Sequence, residues 1–62
     1  MIDVTKMNNI SITINDDLIE TIEETPDTVI TLTTGKKIIV KESRLEIINL
    51  VKTYKKELYK MN

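Results

Sequence analysis

The chain has 62 residues, 31% of them charged, a formal net charge of −1, and neither cysteine nor histidine. The missing cysteine excludes disulfides and thiolate metal sites, and the missing histidine removes the commonest general base and transition-metal ligand. A chain this short buries only about 60% of its unfolded surface, so one domain with a thin core is expected, with oligomerisation as its staple.

The net charge conceals a division. Residues 1–35 carry seven acids against Lys6, and residues 36–62 carry eight bases against Glu42, Glu46 and Glu57. One explanation is a sheet with a solvated acidic rim beside a helix with a solvated basic face. The other is that opposite poles orient the molecule toward a partner or a second copy. No apolar run approaches the roughly 20 residues of a membrane span. The opening Met1-Ile2-Asp3-Val4 lacks the basic start and apolar run of a secretion signal. Together with the absent cysteine, these features make a soluble, cytoplasmic protein the expectation.

Taken in order, the chain predicts five short strands and one helix in a single α+β domain over 1–62. Ile2 and Val4 alternate with Asp3 and Thr5, a strand over 2–6 with one apolar face. Asn8-Asn9 predicts a turn, because asparagine tolerates the left-handed region. Ile10, Ile12 and Ile14 alternate with Ser11 and Thr13 in a strand over 10–14, which Asn15-Asp16-Asp17 breaks. Leu18, Ile19 and Ile22 carry a strand over 18–24, with Glu20, Glu23 and Glu24 keeping its outer face wet.

The central stretch from Ile19 to Glu42 is the most legible. Thr25-Pro26-Asp27-Thr28 places Pro26 at the second position of a type I turn, followed by the turn-favouring Asp27. In Thr33-Thr34-Gly35-Lys36 the threonines are poor residues for a two-residue primed turn, so a three-residue loop with Gly35 at positive φ is expected. Between these turns, a strand over 28–33 points Ile30 and Leu32 one way and Val29, Thr31 and Thr33 the other. After Gly35, a strand over 37–41 has three successive apolar residues, Ile38, Ile39 and Val40; one of them must face outward or meet another subunit. The five antiparallel strands make a curled meander or small open barrel.

Ser43-Arg44-Leu45-Glu46 fits the capping box, opening a helix over 44–60 free of glycine and proline. Ile47, Val51, Tyr54, Leu58 and Met61 form one apolar stripe, with Leu50 beside it, expected to cover the sheet at least in its first turns. On the flank, Leu45, Ile48 and Tyr59 interleave with Arg44, Lys52, Lys55 and Lys56. These are either the margin of one wide buried face or a partner surface carried by Lys52, Lys55, Lys56 and Tyr59. Late lysines also complement the helix dipole by a few tenths of a kcal/mol each, so part of the basicity needs no partner.

Reactive sites are sparse. The paired carboxylates Asp16-Asp17 and Glu23-Glu24 are expected at solvated turn or rim positions, whereas a catalytic pair needs one desolvated member. The acids around Asp16 lack the alternation and glycine of a calcium loop. Thr34-Gly35-Lys36-Lys37 lacks the flanking glycines and strand-to-helix setting of a phosphate loop. No catalytic residue, cofactor or metal is therefore expected. A membrane-surface helix is disfavoured because the sheet needs its apolar face. Nucleic-acid binding through Lys36, Lys37, Lys41, Arg44, Lys52, Lys55, Lys56 and Lys60 is opposed by the acidic half, a sequence pI near 5.3 and the presence of only two aromatics, Tyr54 and Tyr59.

The run from Ile19 through Leu32 (IETIEETPDTVITL), Gly35-Lys36-Lys37 and Val40-Lys41-Glu42-Ser43 resembles the small flagellar FlbD family, whose Gram-positive members are the SwrD swarming motility proteins. The chain is too short to be the larger transcriptional regulator that shares the name FlbD. The likeness extends to the opening Met1 to Asn8, with Asn9 where the family has glycine and Ile12 where an aromatic is usual. The resemblance implies a role in motility: support of flagellar motor power, through the stator at the cytoplasmic side of the membrane. It supplies no catalytic residues, and Pro26, Asp27, Gly35, Ser43 and Glu46 are read as structural turns and cap. The alternative is a regulator of flagellar gene expression that binds nucleic acid through the basic helix.

Overall fold

The computed structural model describes residues 1–59. Strands β1 (Ile2–Thr5) and β2 (Ser11–Ile14) form one antiparallel sheet, and β3 (Ile19–Glu24), β4 (Thr28–Leu32) and β5 (Lys37–Val40) form a second. Helix α1 (Arg44–Tyr59) follows. The fold is α+β, and its strands do not close into a barrel. The sheets meet at a single bridge between Lys6 and Val40, beside which the Lys41 N–H donates to the Thr5 carbonyl at 2.8 Å. Glu42 clamps the same place, accepting from the Thr5 amide and the Thr5 hydroxyl, both at 2.8 Å.

Two of the three hairpins use one construction. The Lys6 N–H donates to the Ile10 carbonyl, the Asn9 N–H returns to the Lys6 carbonyl, and Asn9 sits at φ 70°. Leu32, Gly35 and Lys36 repeat the pattern, with Gly35 at φ 91°. Each is a three-residue loop whose last residue takes the left-handed conformation, as expected for Gly35. A Cβ on Gly35 would meet nothing within 4 Å, so the requirement there is backbone angle and not space.

The remaining hairpin departs from expectation. The Thr25–Pro26 bond is cis. Cis proline belongs at the third position of a type VI turn, so Pro26 does not serve as the second residue of a type I turn. Asp27 follows it on the exposed tip.

Other boundaries also shift. Leu18 closes a 3₁₀ turn over Asp16–Leu18, capped by the Asn15 side chain on the Asp17 amide at 3.0 Å, and so lies outside β3. Ile10 precedes β2 and is 56% exposed, so the expected apolar face of that strand narrows to Ile12 and Ile14. Within β3 the register slips between Ile19 and Thr21, leaving Glu20 as the extra residue of a bulge. Residues three apart point to opposite faces of a regular strand; the bulge turns Ile19 and Ile22 to the same side, where both pack on the core.

The core comprises Ile2, Val4, Ile14, Ile30, Ile38, Val40 and Ile47, every one β-branched. Such side chains have a strongly preferred χ1, which suits a small core that must pack one way. Ile39 is the residue of the Ile38-Ile39-Val40 run that faces outward.

The helix begins as its capping box directs. The Glu46 amide donates to the Ser43 hydroxyl, and the Ser43 amide donates to the Glu46 carboxylate, each at 3.1 Å. Ile47 is fully buried, Val51 and Tyr54 pack at the core margin, and α1 rests on β1 and β3. Leu58 is half exposed, so the apolar stripe covers the sheet only in its first turns; Lys60 and Met61 lie outside the described residues. Sixteen residues extend about 24 Å, and the molecule measures 39 × 23 × 19 Å.

Truncating Ile30 or Ile47 to alanine should cost about 2–5 kcal/mol. A 62-residue domain has only about 3–9 kcal/mol in all. Urea unfolding followed by circular dichroism should therefore find either variant with a strongly lowered midpoint or already unfolded in buffer, and Ile30→Val with a much smaller drop.

Candidate functional site

Three acids act in ways the sequence did not disclose. Asp16 was expected at a solvated turn, but its side chain is only 1% exposed. The 3₁₀ turn rotates it inward between the start of the chain and the helix. The N-terminal ammonium of Met1 donates to Asp16 Oδ1 at 2.6 Å, and Lys55 Nζ lies 3.2 Å from Oδ2. Oδ2 accepts no well-aligned hydrogen bond and keeps only this ionic contact. Lys55 also donates to the exposed Asp17 carboxylate at 2.7 Å. Glu24, the second acid of the other pair, accepts from the Arg44 amide at 2.8 Å, where a carboxylate offsets the positive end of α1.

The electrostatics of this cluster argue against acid–base chemistry. The hydrogen bond from the N-terminal ammonium, against the penalty of burial and with help from Lys55, holds the Asp16 carboxyl below its ordinary range. Asp17 and Asp16 in turn push the Lys55 ammonium well above its own. A general acid needs a raised carboxyl pKa; Asp16 is displaced in the opposite direction and stays ionised. Among the described residues, no group of three or more acids could hold a metal ion, and no helix is long and apolar enough to cross a membrane.

The helix flank is divided by the same cluster. Of the four residues read as a partner surface, Lys55 is drawn inward to Asp16 and Asp17. Lys52 and Lys56 stay exposed and make no ion pair among the described residues. Tyr59 is 72% exposed. Lys52, Lys56 and Tyr59 stand at spacings of four and three, hence on one side of α1, with Leu45 (65% exposed) two turns before Lys52. The result is a mixed basic and apolar strip facing away from the sheet. Beside it, Ile19, Ile22, Ile48 and Val51 line an apolar depression of about 360 Å³ between β3 and α1, with Asp16 and Lys52 at its margins. Pro26, Asp27 and Gly35 lie in hairpin turns, and Ser43 and Glu46 at the helix cap.

The family described as flagellar and swarming motility proteins, FlbD, matches residues 1–59 of the 62-residue chain. The chain belongs to that family. No curated protein and no solved structure matches it.

Removing the Asp16 charge should leave two cations without their shared partner. Asp16→Asn is expected to cost about 2–3 kcal/mol, lowering Tm by roughly 10 °C or more. The pH dependence has a definite sign. Asp16 and Glu42 both have carboxyls held low in the fold, for Glu42 because hydrogen bonds from the Thr5 amide and hydroxyl outweigh burial. Their stabilisation is complete above about pH 4–5, where the unfolded carboxyls ionise, and is lost as pH falls through the folded values. Thermal melts from neutral to strongly acidic pH should show that decline, with a reduced slope in Asp16→Asn.

Proposed function

We propose that this motility-family protein is a non-enzymatic docking module. In this reading it raises the output of the flagellar motor through the torque-generating stator, from the cytoplasmic face of the membrane and as a homo-oligomer. The observation that carries the docking surface is the strip on α1, where Lys52 and Lys56 flank exposed apolar and aromatic groups that the core does not use. Charges of one sign at a rim set orientation and on-rate, while an aromatic anchor supplies contact area. The partner suited to such a strip is an acidic protein surface with a shallow apolar centre. Lys55 contributes by pinning the helix, so reversing it would confuse docking with stability.

The double variant Lys52→Glu/Lys56→Glu separates the two. Both side chains are exposed and unpaired, so abundance and circular dichroism should match wild type while swarming is lost. Swarming at the wild-type rate would remove this surface from the proposal. Light scattering should give a multiple of the 7.2 kDa chain mass; a monomer across the working concentration range would remove the homo-oligomer.

A further inference from the structure

A second surface lies where the β1–β2 hairpin loop runs beside β5. Where β1 and β5 part beyond the Lys6–Val40 bridge, a groove of about 440 Å³ opens between the β1–β2 loop and β5. Its walls are apolar, from Met7, Ile12 and Ile39, and its rim carries Lys6, Lys36 and Lys37. No acid lines it. Unlike Lys55, these three lysine side chains have no hydrogen-bond or ion-pair partner among the described residues. Lys41 reaches across to the Asn9 side chain and ties the first loop to the end of β5.

Apolar side chains are exposed here at protruding positions. Met7 is 49% exposed and Ile10 56%, both at the tip of the β1–β2 hairpin, and Ile39 is 47% exposed on the outer face of β5. Glu23, Glu24 and Asp27 gather at the start of β4. Lys36 and Lys37 stand toward the other end of the ladder, while Ile39, paired with Val29, lies level with Glu23 and shares a depression with Lys37, Glu23 and Asp27.

We propose that this end is a docking surface for an anionic phospholipid bilayer. Met7 and Ile10 enter the interface, while Lys6, Lys36 and Lys37 reach the headgroup phosphates on flexible stems. The arrangement favours a bilayer over a protein partner, because Met7 and Ile10 stand on a hairpin tip with cations from two hairpins beside them. A peptide-binding cleft would place those groups on its floor. The inference rests on the reading that the protein works at the inner face of the membrane, and it assigns the residues that would hold it there.

The test is co-sedimentation with vesicles of phosphatidylethanolamine and phosphatidylglycerol, against vesicles of phosphatidylcholine alone. Wild type should pellet with the anionic vesicles only, less so as salt rises. The variant Lys6→Glu/Lys36→Glu/Lys37→Glu should lose at least about a hundredfold in partition, at roughly fivefold for each lysine. Met7→Ser/Ile10→Ser should lose about tenfold or more. Lys52→Glu/Lys56→Glu should bind as wild type does, and circular dichroism should find every variant folded. The proposal falls if wild type stays in the supernatant with anionic vesicles, or if the lysine-reversed variant still pellets. It also falls if light scattering finds a dimer that those three reversals dissolve, which would give the surface to a second copy. Failure here leaves the helix strip standing, because the swarming test of Lys52 and Lys56 does not pass through these residues.

Discussion

A carboxylate withdrawn from water needs cations, and much of this molecule is arranged to supply them to Asp16. The N-terminal ammonium approaches from ahead of β1 and Lys55 from the fourth turn of α1, while the 3₁₀ turn aims the acid between them. One short side chain thereby gathers the start of the chain, the link between the two sheets and the helix. An ion pair of this kind is a poor source of net stability, because desolvation offsets most of the attraction. It is costly to break, however, and it fixes the rotation of α1 about its axis. That rotation determines which lysines face outward.

Ile47 supplies the apolar counterpart of this constraint. It is the one fully buried residue of the helix, and it meets a core made wholly of isoleucine and valine. Such a core permits few rearrangements, and the helix beyond Tyr54 is free of it. The distal turns therefore contribute little burial and keep Leu58 and Tyr59 at the surface. The charge division between the two halves of the chain is partly resolved inside the fold, by Lys55 with Asp16 and Asp17 and by Glu24 at the helix start. Lys52 and Lys56 on the helix, and Lys6, Lys36 and Lys37 at the hairpin loops, remain outside that internal pairing.

Features that depend on neighbours in sequence were legible in it. The capping box of Ser43 and Glu46, the left-handed Gly35, the Asn8-Asn9 turn and the alternation in β1 and β4 each rest on residues within a few positions. The buried Asp16 was not legible, because its partners are the N-terminus and a lysine 38 residues beyond Asp17; nothing near Asp16 distinguishes it from the exposed Asp17. The same holds for Glu24, whose contact with the helix amide spans 20 residues. The bulge did leave a trace. Ile19 and Ile22 are three apart, a spacing that cannot serve one face of a regular strand, and Glu20 is the residue displaced to reconcile them. Of the candidate surface, sequence spacing placed Lys52, Lys56 and Tyr59 on one side of the helix, but only the fold reveals that Lys55 is spoken for. The groove beside β5 brings Lys6 next to Lys36 and Lys37, across a gap in sequence that no local pattern bridges.

The hydrogen-bonded join between the sheets is slender: a bridge, the Lys41 amide on the Thr5 carbonyl, the two-pronged grip of Glu42 and the reach of the Lys41 side chain to Asn9. Each flanking hairpin, by contrast, is a self-contained ladder closed by its own loop. Stress applied across the molecule would concentrate at this seam, which can part while both ladders keep their pairing. The protein is in that sense two stiff leaves on a narrow spine, with the helix lying against β1 of one leaf and β3 of the other as the splint that limits how far they fold.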